Sequence, residues 1–267
     1  MKPLILKSIC CITGFFTFIT PAFAEFSAPK GENVGFEIAA KSDRSDRGFG
    51  VSRVELTMYM INNDGESSER SLTMSTLEVA DEGFGDKSLV VFNSPAEVKD
   101  TKLLSHTHIL DPDDQWLYLP ALKRVKRISS ANKSGPFVGS EFAFEDFTAQ
   151  ELNKFEYKFL KEEKCGEYTC AVIDRFPLYD NSGYTKQRSF IDTTHYQIRK
   201  IEFFDRRDKH LKTLFLNDYK LYKDQFWRPL EMYMDNHQKG KKTILKFEDY
   251  DFSVRLANRD FSKSSLK

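Results

Sequence analysis

The stretch that decides the fold is VSRVELTMYMINNDGESSERSLTMS, residues 51–75. Apolar and polar side chains alternate along it, as in a β-strand with one buried face. The apolar set comprises Val54, Leu56, Met58, Met60, Leu72 and Met74. Between its two halves, residues 62–65 read NNDG, which is typical of a tight hairpin turn. The stretch therefore predicts an antiparallel hairpin with one apolar face.

The same period of two continues through most of the remaining sequence. Further strands are predicted at residues 87–94, 102–110, 115–119, 123–129, 154–164, 167–176, 186–193, 197–206, 210–222, 226–235 and 241–254. Helical patterns occur only at residues 31–46 and in a short piece around 145–153. Because no long helices alternate with the strands, a parallel α/β sheet is excluded. The sequence predicts a mainly β (α+β) fold of about thirteen antiparallel strands.

Composition narrows the class of protein. The 267 residues carry 40 Lys+Arg and 40 Asp+Glu, and the formal net charge of zero gives no general attraction to nucleic acid. A charged fraction of 30% excludes a polytopic membrane protein, and 13 Gly with 9 Pro are too few for a fibrous or low-complexity chain. The length is enough for one large β-rich domain.

The first residues resemble a secretory signal peptide. Lys2 and Lys7 precede an apolar run at residues 9–19, and Ala22-Phe23-Ala24 forms a small-x-small cleavage sequence. The prediction is cleavage after Ala24, a periplasmic location, and a single domain over residues 25–267. An uncleaved N-terminal anchor is the alternative.

Export changes the interpretation of the cysteines. Cys165 and Cys170 remain after cleavage and lie between two predicted strands. An even pair in an exported protein favours a structural disulfide, here across a hairpin. Free thiols and a redox or metal role are the alternatives.

The apolar face of such a sheet must be covered. Two short helices cannot cover thirteen strands, so the face lies against a packed core, a second sheet or a cavity for an apolar ligand. Methionine adapts its shape to variable chains, which suits a cavity. The candidate cavity-lining residues are Leu56, Met58, Met60, Leu72 and Met74.

Two stretches carry a family resemblance. Residues 111–128 read DPDDQWLYLPALKRVKRI, and residues 139–147 read GSEFAFEDF. This pattern resembles the LolA-like outer-membrane lipoprotein-sorting protein family, in particular the branch that accompanies RND-type (MMPL-like) exporters. Residues 190–214 also fit the family, and the resemblance covers roughly residues 34–262.

The resemblance implies a fold and a function. The fold is an incomplete antiparallel β-barrel, or strongly curved sheet, with a few short helices as a lid over an apolar cavity. The function is that of a carrier rather than an enzyme, which binds lipid or lipoprotein acyl chains and needs no cofactor. The implied partner is an RND/MMPL-type exporter or an outer-membrane acceptor.

Two clusters within the motif have alternative interpretations. Lys123, Arg124, Lys126 and Arg127 form a basic docking patch for anionic head groups or an acidic partner, or else protect an exposed edge strand by their charge. The aromatic residues Phe142, Phe144 and Phe147 form a candidate lid, or else a loop that covers the core. Glu145 and Asp146 are expected at the start of a short helix there.

Catalytic and metal-binding patterns are lacking. The sequence contains no G-x-S-x-G, Walker or H-E-x-x-H motif. His106 and His108 have a spacing that zinc sites use, but no third ligand is identifiable, so no metal site is predicted. The competing functions are a lipid carrier, a non-carrier accessory subunit docked on an envelope transport complex, and an envelope hydrolase.

Overall fold

Thirteen antiparallel strands form one sheet in the computed structural model, which describes residues 33–79 and 83–267. The strands are β1 Val51–Ile61, β2 Ser67–Leu77, β3 Phe84–Ser94, β4 Lys102–His108, β5 Asp114–Leu119, β6 Arg124–Arg127, β7 Phe155–Cys165, β8 Tyr168–Pro177, β9 Tyr184–Asp192, β10 Ile198–Asp205, β11 His210–Tyr222, β12 Phe226–Asn236 and β13 Lys241–Phe247. One α-helix, α1 Val34–Ser45, precedes them. The predicted signal peptide, residues 1–24, lies outside the described residues.

The sheet consists of two meanders that meet in its middle. The strand order is β6-β5-β4-β3-β2-β1-β13-β12-β11-β10-β9-β8-β7, so β6 and β7 form the two edges. Among the described strands these edges do not pair with each other. The predicted open antiparallel sheet is confirmed, and the sheet is not a closed barrel.

The hairpin of β1 and β2 has the predicted register. Leu56 pairs with Leu72, and Val54 pairs with Met74, so the apolar residues share one face. The Asn62 side chain accepts hydrogen bonds from the backbone N–H groups of Asp64 (3.0 Å) and Glu66 (2.9 Å), which fixes the turn.

Two boundaries differ from prediction. The strand predicted for 241–254 ends at Phe247, because Tyr250 and Phe252 pack their rings into an aromatic cluster with Phe49 and Phe226. The helical piece predicted around 145–153 consists instead of two 3-10 turns, Phe144–Phe147 and Leu152–Lys154.

The second difference has a backbone cause. The N–H groups of Phe144 and Glu145 donate to the carbonyls of Gly135 (3.1 Å) and Lys133 (3.0 Å). The N–H of Asp146 donates to the carbonyl of Ala143, three residues back (3.1 Å), which closes a 3-10 turn. The backbone is extended again at Thr148, so the turn ends before a regular α-helix forms.

Helix α1 covers one end of the inner face of the sheet. The Asn33 side chain caps it by accepting from the N–H of Phe36 at 3.1 Å. Ala39 packs with Tyr157 of β7 and Ile173 of β8. Gly35 makes this approach possible, since a Cβ there would lie 2.9 Å from the backbone nitrogen of Phe159. No helix in the described residues is long and apolar enough to cross a membrane.

Residues 128–154 connect the two edges of the sheet, and we call them the crossing segment. Because β6 and β7 lie at opposite edges, this segment links the two arms of the sheet. Phe137 and Phe142 are buried there against Met58, Leu72 and Phe92 of the main core. The crossing segment thus provides the second cover of the inner face.

Candidate functional site

A cavity of about 560 Å³ lies between the inner face of the sheet and its two covers. Its wall includes residues from β4 on one arm of the sheet and from β7 on the other. Since one cavity contacts both arms, the sheet wraps around it. Helix α1 and the crossing segment supply the remaining wall, through residues such as Ala39 and Phe147.

Four of the five predicted lining residues lie in this wall. They are Leu56, Met58, Leu72 and Met74. Met58 and Leu72 are completely buried, so they lie where the wall is tightly packed, whereas Met74 is only partly buried. Met60 lies outside the wall, because it sits beside the β1–β2 turn and pairs there with Ser68 and Thr243.

The predicted lid residues separate into two positions. Phe142 and Phe147 line the cavity, with their ring centroids 5.8 Å apart. Phe144 does not reach it and packs its ring edge-on against Phe137 at 5.7 Å. Phe137 was not among the predicted residues, although it is completely buried at the centre of this aromatic group.

A buried ion pair holds the crossing segment to the sheet. The Lys212 ammonium of β11 donates to Asp146 Oδ2 (2.8 Å) and to the carbonyl of Glu141 (2.9 Å). The hydroxyl of Tyr184 donates to the other oxygen of Asp146 at 2.8 Å. Removing one partner of such a pair leaves an uncompensated buried charge, so the contact fixes the segment strongly.

Glu145 makes a second attachment. Its carboxylate accepts from the N–H of Gly183 (2.8 Å) and the hydroxyls of Ser182 (3.0 Å) and Tyr179 (3.3 Å). Burial raises the pKa of Glu145, and the neighbouring Asp146 adds to the effect. The sequence placed Glu145 at the start of a helix, because no local pattern signals a partner so distant in the chain.

The cavity has an acidic rim, which comprises Asp43, Glu78, Asp86 and Glu151. Arg47 lies among them, with its Nε 2.6 Å from Asp43 Oδ2 and its Nη2 3.8 Å from Glu151 Oε2. Its side chain is half-exposed, so the rim reaches solvent there. Burial raises the pKa of Asp86 to about 6 and also raises that of Glu151.

Two arginines of the wall escaped sequence reasoning. Arg228 bonds Asp46 at the end of α1 and lies over the rings of Phe49 and Phe252, at 5.2 and 5.7 Å. Arg175 is 7% exposed and lies beside Ile173 in β8. The sequences of their strands show ordinary alternation. This pattern does not distinguish an arginine that faces the cavity from one on the solvent-exposed face of the sheet.

Comparison with solved structures places the chain in a family. The crystal structure of an outer membrane lipoprotein-sorting protein domain from Vibrio parahaemolyticus is 47% identical in sequence, with a TM-score of 0.85. The match covers 87% of this chain and 98% of that chain. The chain belongs to the LolA-like lipoprotein-sorting family.

Other solved structures have a similar fold. A DUF1329 family protein from Desulfovibrio piger is 25% identical, with a TM-score of 0.82 over 88% of this chain and 98% of that chain. A LolA superfamily protein from Nitrosomonas europaea shares the fold, at 17% identity and a TM-score of 0.68 over 86% and 97%. A family model described as an uncharacterized protein matches residues 85–267. No curated protein matches the chain.

The motif that suggested the LolA-like lipoprotein-sorting family ends in an exposed edge strand. Lys123, Arg124, Lys126 and Arg127 all lie on the surface, at or in β6. Arg127 bonds Asp114 of β5, with its Nε 3.0 Å from Oδ1. In the described residues, Arg124 and Lys126 make no ion pair, which leaves them available to a partner.

The cysteines and histidines of this family member lie apart from the cavity wall. Cys165 and Cys170 form the predicted disulfide across the β7–β8 hairpin, with their Cα atoms 5.9 Å apart. His106 Nε2 lies 2.6 Å from the carbonyl of Phe261, and His108 Nε2 lies 3.2 Å from Asp114. No group of three His, Cys, Asp or Glu side chains in residues 33–79 and 83–267 is arranged to hold a metal ion.

Proposed function

We propose that the protein is a periplasmic carrier that holds acyl chains of a lipid or lipoprotein in the cavity and passes them toward the outer membrane. The cavity of about 560 Å³ carries the proposal, because it has the size of small-molecule sites. Its relative from Vibrio parahaemolyticus is named for outer membrane lipoprotein sorting, which supports the same role.

Burial of an alkyl chain supplies the binding energy in this proposal. Each buried CH₂ contributes about 0.8 kcal/mol, so about ten methylenes contribute about 8 kcal/mol before the cost of ordering the ligand. Methionines in the wall, such as Met74 and Met232, adapt to chains of different length. The role that we propose is therefore carriage of the chain.

The partly buried wall at Met74 provides the decisive test. In Met74→Asp, the new charge keeps water in the cavity, so we expect the fold to survive and binding of a fluorescent fatty acid to fall at least about tenfold. In Met58→Asp, the charge lies in the fully packed wall and should destabilise the protein by several kcal/mol. Denaturation and ligand titration measure the two effects.

A neighbouring residue on the opposite face is the matched control. Thr73 precedes Met74 on β2, and its side chain is not part of the cavity wall. The Thr73→Asp variant should therefore bind the fatty acid as the wild type does. If folded Met74→Asp also binds like the wild type, the carrier proposal fails. That result would favour the alternative of a non-carrier accessory subunit on an envelope transport complex.

The partner in this proposal is an RND/MMPL-type exporter or an outer-membrane acceptor, contacted through the basic patch at β6. Its support is the exposure of Arg124 and Lys126, which lack intramolecular ion pairs in the described residues. Reversing both charges to Glu should weaken binding to anionic phosphatidylglycerol vesicles without lowering the melting temperature.

The control for this experiment reverses two cations elsewhere. Lys209 and Lys241 are also exposed, so Lys209→Glu with Lys241→Glu makes the same change in net charge. Equal weakening in both double variants would show that net charge alone matters. Unchanged binding in the β6 variant would favour edge protection as the role of its charges.

A further inference from the structure

Arg175 holds an unusual position in the cavity wall. It lies in β8, where it pairs with Tyr157 of β7 and Gln187 of β9. Ile173, two residues earlier on the same face, also lines the cavity. Arg175 is 7% exposed, so its guanidinium has lost nearly all contact with bulk water.

The charge of Arg175 lacks a counter-ion. Its Nη2 donates to the neutral amide oxygen of Gln187 at 2.5 Å, and its Nε is buried without a hydrogen-bond partner. The guanidinium carbon lies 5.3 Å from the ring centroid of Phe155. Throughout the described residues, no carboxylate lies within 4.0 Å of it, which is the distance of an ion pair.

Comparable cations in this protein are paired. Lys154 and Lys212 are the two other cationic side chains of the described residues that are more than nine-tenths buried. Lys154 bonds Asp113, and Lys212 bonds Asp146. An unpaired buried charge is strongly unfavourable, so we expect an anion from outside the chain to compensate the charge of Arg175.

The surroundings of Arg175 favour an anionic partner. The ionisable groups that act on its charge are the phenols of Tyr157 and Tyr179. Burial raises the pKa of Tyr157 to about 12 and raises that of Tyr179 further, so both phenols are neutral at pH 7. The other inward arginine of the wall, Arg228, already bonds Asp46.

We propose that Arg175 binds the oxyanion head group of an amphiphile whose alkyl chain occupies the cavity. The planar guanidinium suits a carboxylate or a phosphate, because it donates two parallel hydrogen bonds to either. The acidic rim disfavours an anion, which makes Arg175 the favourable place for the head group. This inference rests on the proposed function and specifies its ligand class.

The inference distinguishes between kinds of cargo. The acyl chains of a lipoprotein are held in ester and amide linkages, which carry no charge. A fatty acid or an alkyl phosphate carries its anion directly at the end of the chain. The wall around Arg175 therefore favours a free anionic lipid over a lipoprotein.

Matched ligands test the wild-type protein directly. Dodecanoate, monododecyl phosphate and 1-dodecanol share one chain length and differ in the head group, and calorimetric titration at pH 8 keeps both anions charged. We expect the tighter anion to bind at least about tenfold more strongly than dodecanol. The tighter of the two anions identifies the head group as carboxylate or phosphate.

Variants then locate the preference. In Arg175→Gln, the advantage of the anion over dodecanol should fall to within about threefold, while dodecanol affinity stays unchanged. Arg175→Lys retains the charge and should retain a preference. Arg207→Gln removes an exposed arginine that lies 3.6 Å from Asp205, outside the cavity wall, so this control should bind all three ligands like the wild type.

The possible failures are distinguishable. Equal affinity of the wild type for dodecanoate, dodecyl phosphate and dodecanol would overturn the role of Arg175 and leave the carrier proposal intact. An anion preference that persists in folded Arg175→Gln would overturn it as well. If the wild type binds none of the three ligands, both proposals fail.

Discussion

The two covers of the cavity are attached in different ways. The crossing segment is held by buried polar groups, including the Lys212–Asp146 ion pair and the Glu145 carboxylate. Helix α1 is held by apolar packing of Phe36, Ile38 and Ala39 and by ion pairs that involve half-exposed side chains, Arg47 and Asp46. Both segments contribute to the same wall, yet only the crossing segment is attached through buried charges.

This difference indicates which cover opens. Moving the crossing segment breaks a buried ion pair, at a cost of about 3–5 kcal/mol when one partner is left alone. Exposed ion pairs contribute only about 0.2–1 kcal/mol each. Moving helix α1 leaves no buried charge without its partner, so we expect ligand to enter and leave beside it, at the acidic rim.

The largest expected effect comes from breaking the buried anchor. Lys212→Met leaves Asp146 buried without its cation, so the free energy of unfolding should fall by about 3–5 kcal/mol in urea denaturation. Lys186→Met is the control, because its partner Asp208 is largely exposed, and it should cost less than about 1 kcal/mol. Equal losses in both variants would contradict the distinction between the covers.

The acidic rim provides a test that depends on pH. The pKa of Asp86 is raised from 3.8 to about 6, mainly by burial and also by Glu78 and Asp43, while Arg47 and the N–H of Val79 oppose the rise. A carboxyl group with a higher pKa in the folded state than in the unfolded state contributes to stability below its unfolded-state pKa. That contribution is lost as the pH rises through its folded-state pKa.

The corresponding variant is Asp86→Asn. It should be more stable than the wild type at pH 8, by roughly 3 kcal/mol, and the difference should disappear below about pH 4. Denaturation at a series of pH values measures it. Asp64→Asn in the exposed hairpin turn is the control and should change little at any pH. A gain in stability that does not depend on pH would show that the charge of Asp86 is not its cause.

A smaller effect is expected where α1 meets the sheet. In Gly35→Ala, the new Cβ would lie 2.9 Å from the Phe159 nitrogen and 3.1 Å from the Lys158 carbonyl carbon, so the helix must shift outward. We expect a loss of about 1–3 kcal/mol, with faster hydrogen exchange confined to α1 and the neighbouring rim. Faster exchange across the crossing segment as well would mean that the two covers move together.

The smallest effect on stability is expected at the contact between the covers. Arg47 of the α1 end approaches Glu151 of the crossing segment at 3.8 Å, with a half-exposed side chain. Arg47→Ala should change the free energy of unfolding by less than about 1 kcal/mol and yet speed dissociation of a fluorescent fatty acid in stopped-flow measurements. An unchanged dissociation rate would indicate that the ligand does not enter and leave at the acidic rim.

Local patterns predicted much of this molecule. The alternation around Leu56 and Leu72 and the NNDG turn were sufficient for the hairpin, and similar patterns located the other strands. The face that two short helices could not cover predicted a cavity. Each of these signals lies within a few residues of its effect.

The rest depends on contacts between distant residues. Asp146 meets Lys212, and Glu145 meets Gly183, although more than thirty residues separate each pair. Likewise, alternation alone could not tell that Arg175 faces inward. Met60 was placed in the wall by the same alternation, which takes no account of where the cavity ends.

The pairing of β1 with β13 has a consequence for folding kinetics. Leu56 lies opposite Phe247 at the centre of the sheet, so nearly the whole domain separates the two partners. Each meander can form from local hairpins, whereas this central pairing must close a very long loop and raises the contact order. We therefore expect the two arms to form early and their joining to be rate-limiting. Until then, the central strands are unpaired edges, and the newly made chain is open to misassociation at that seam.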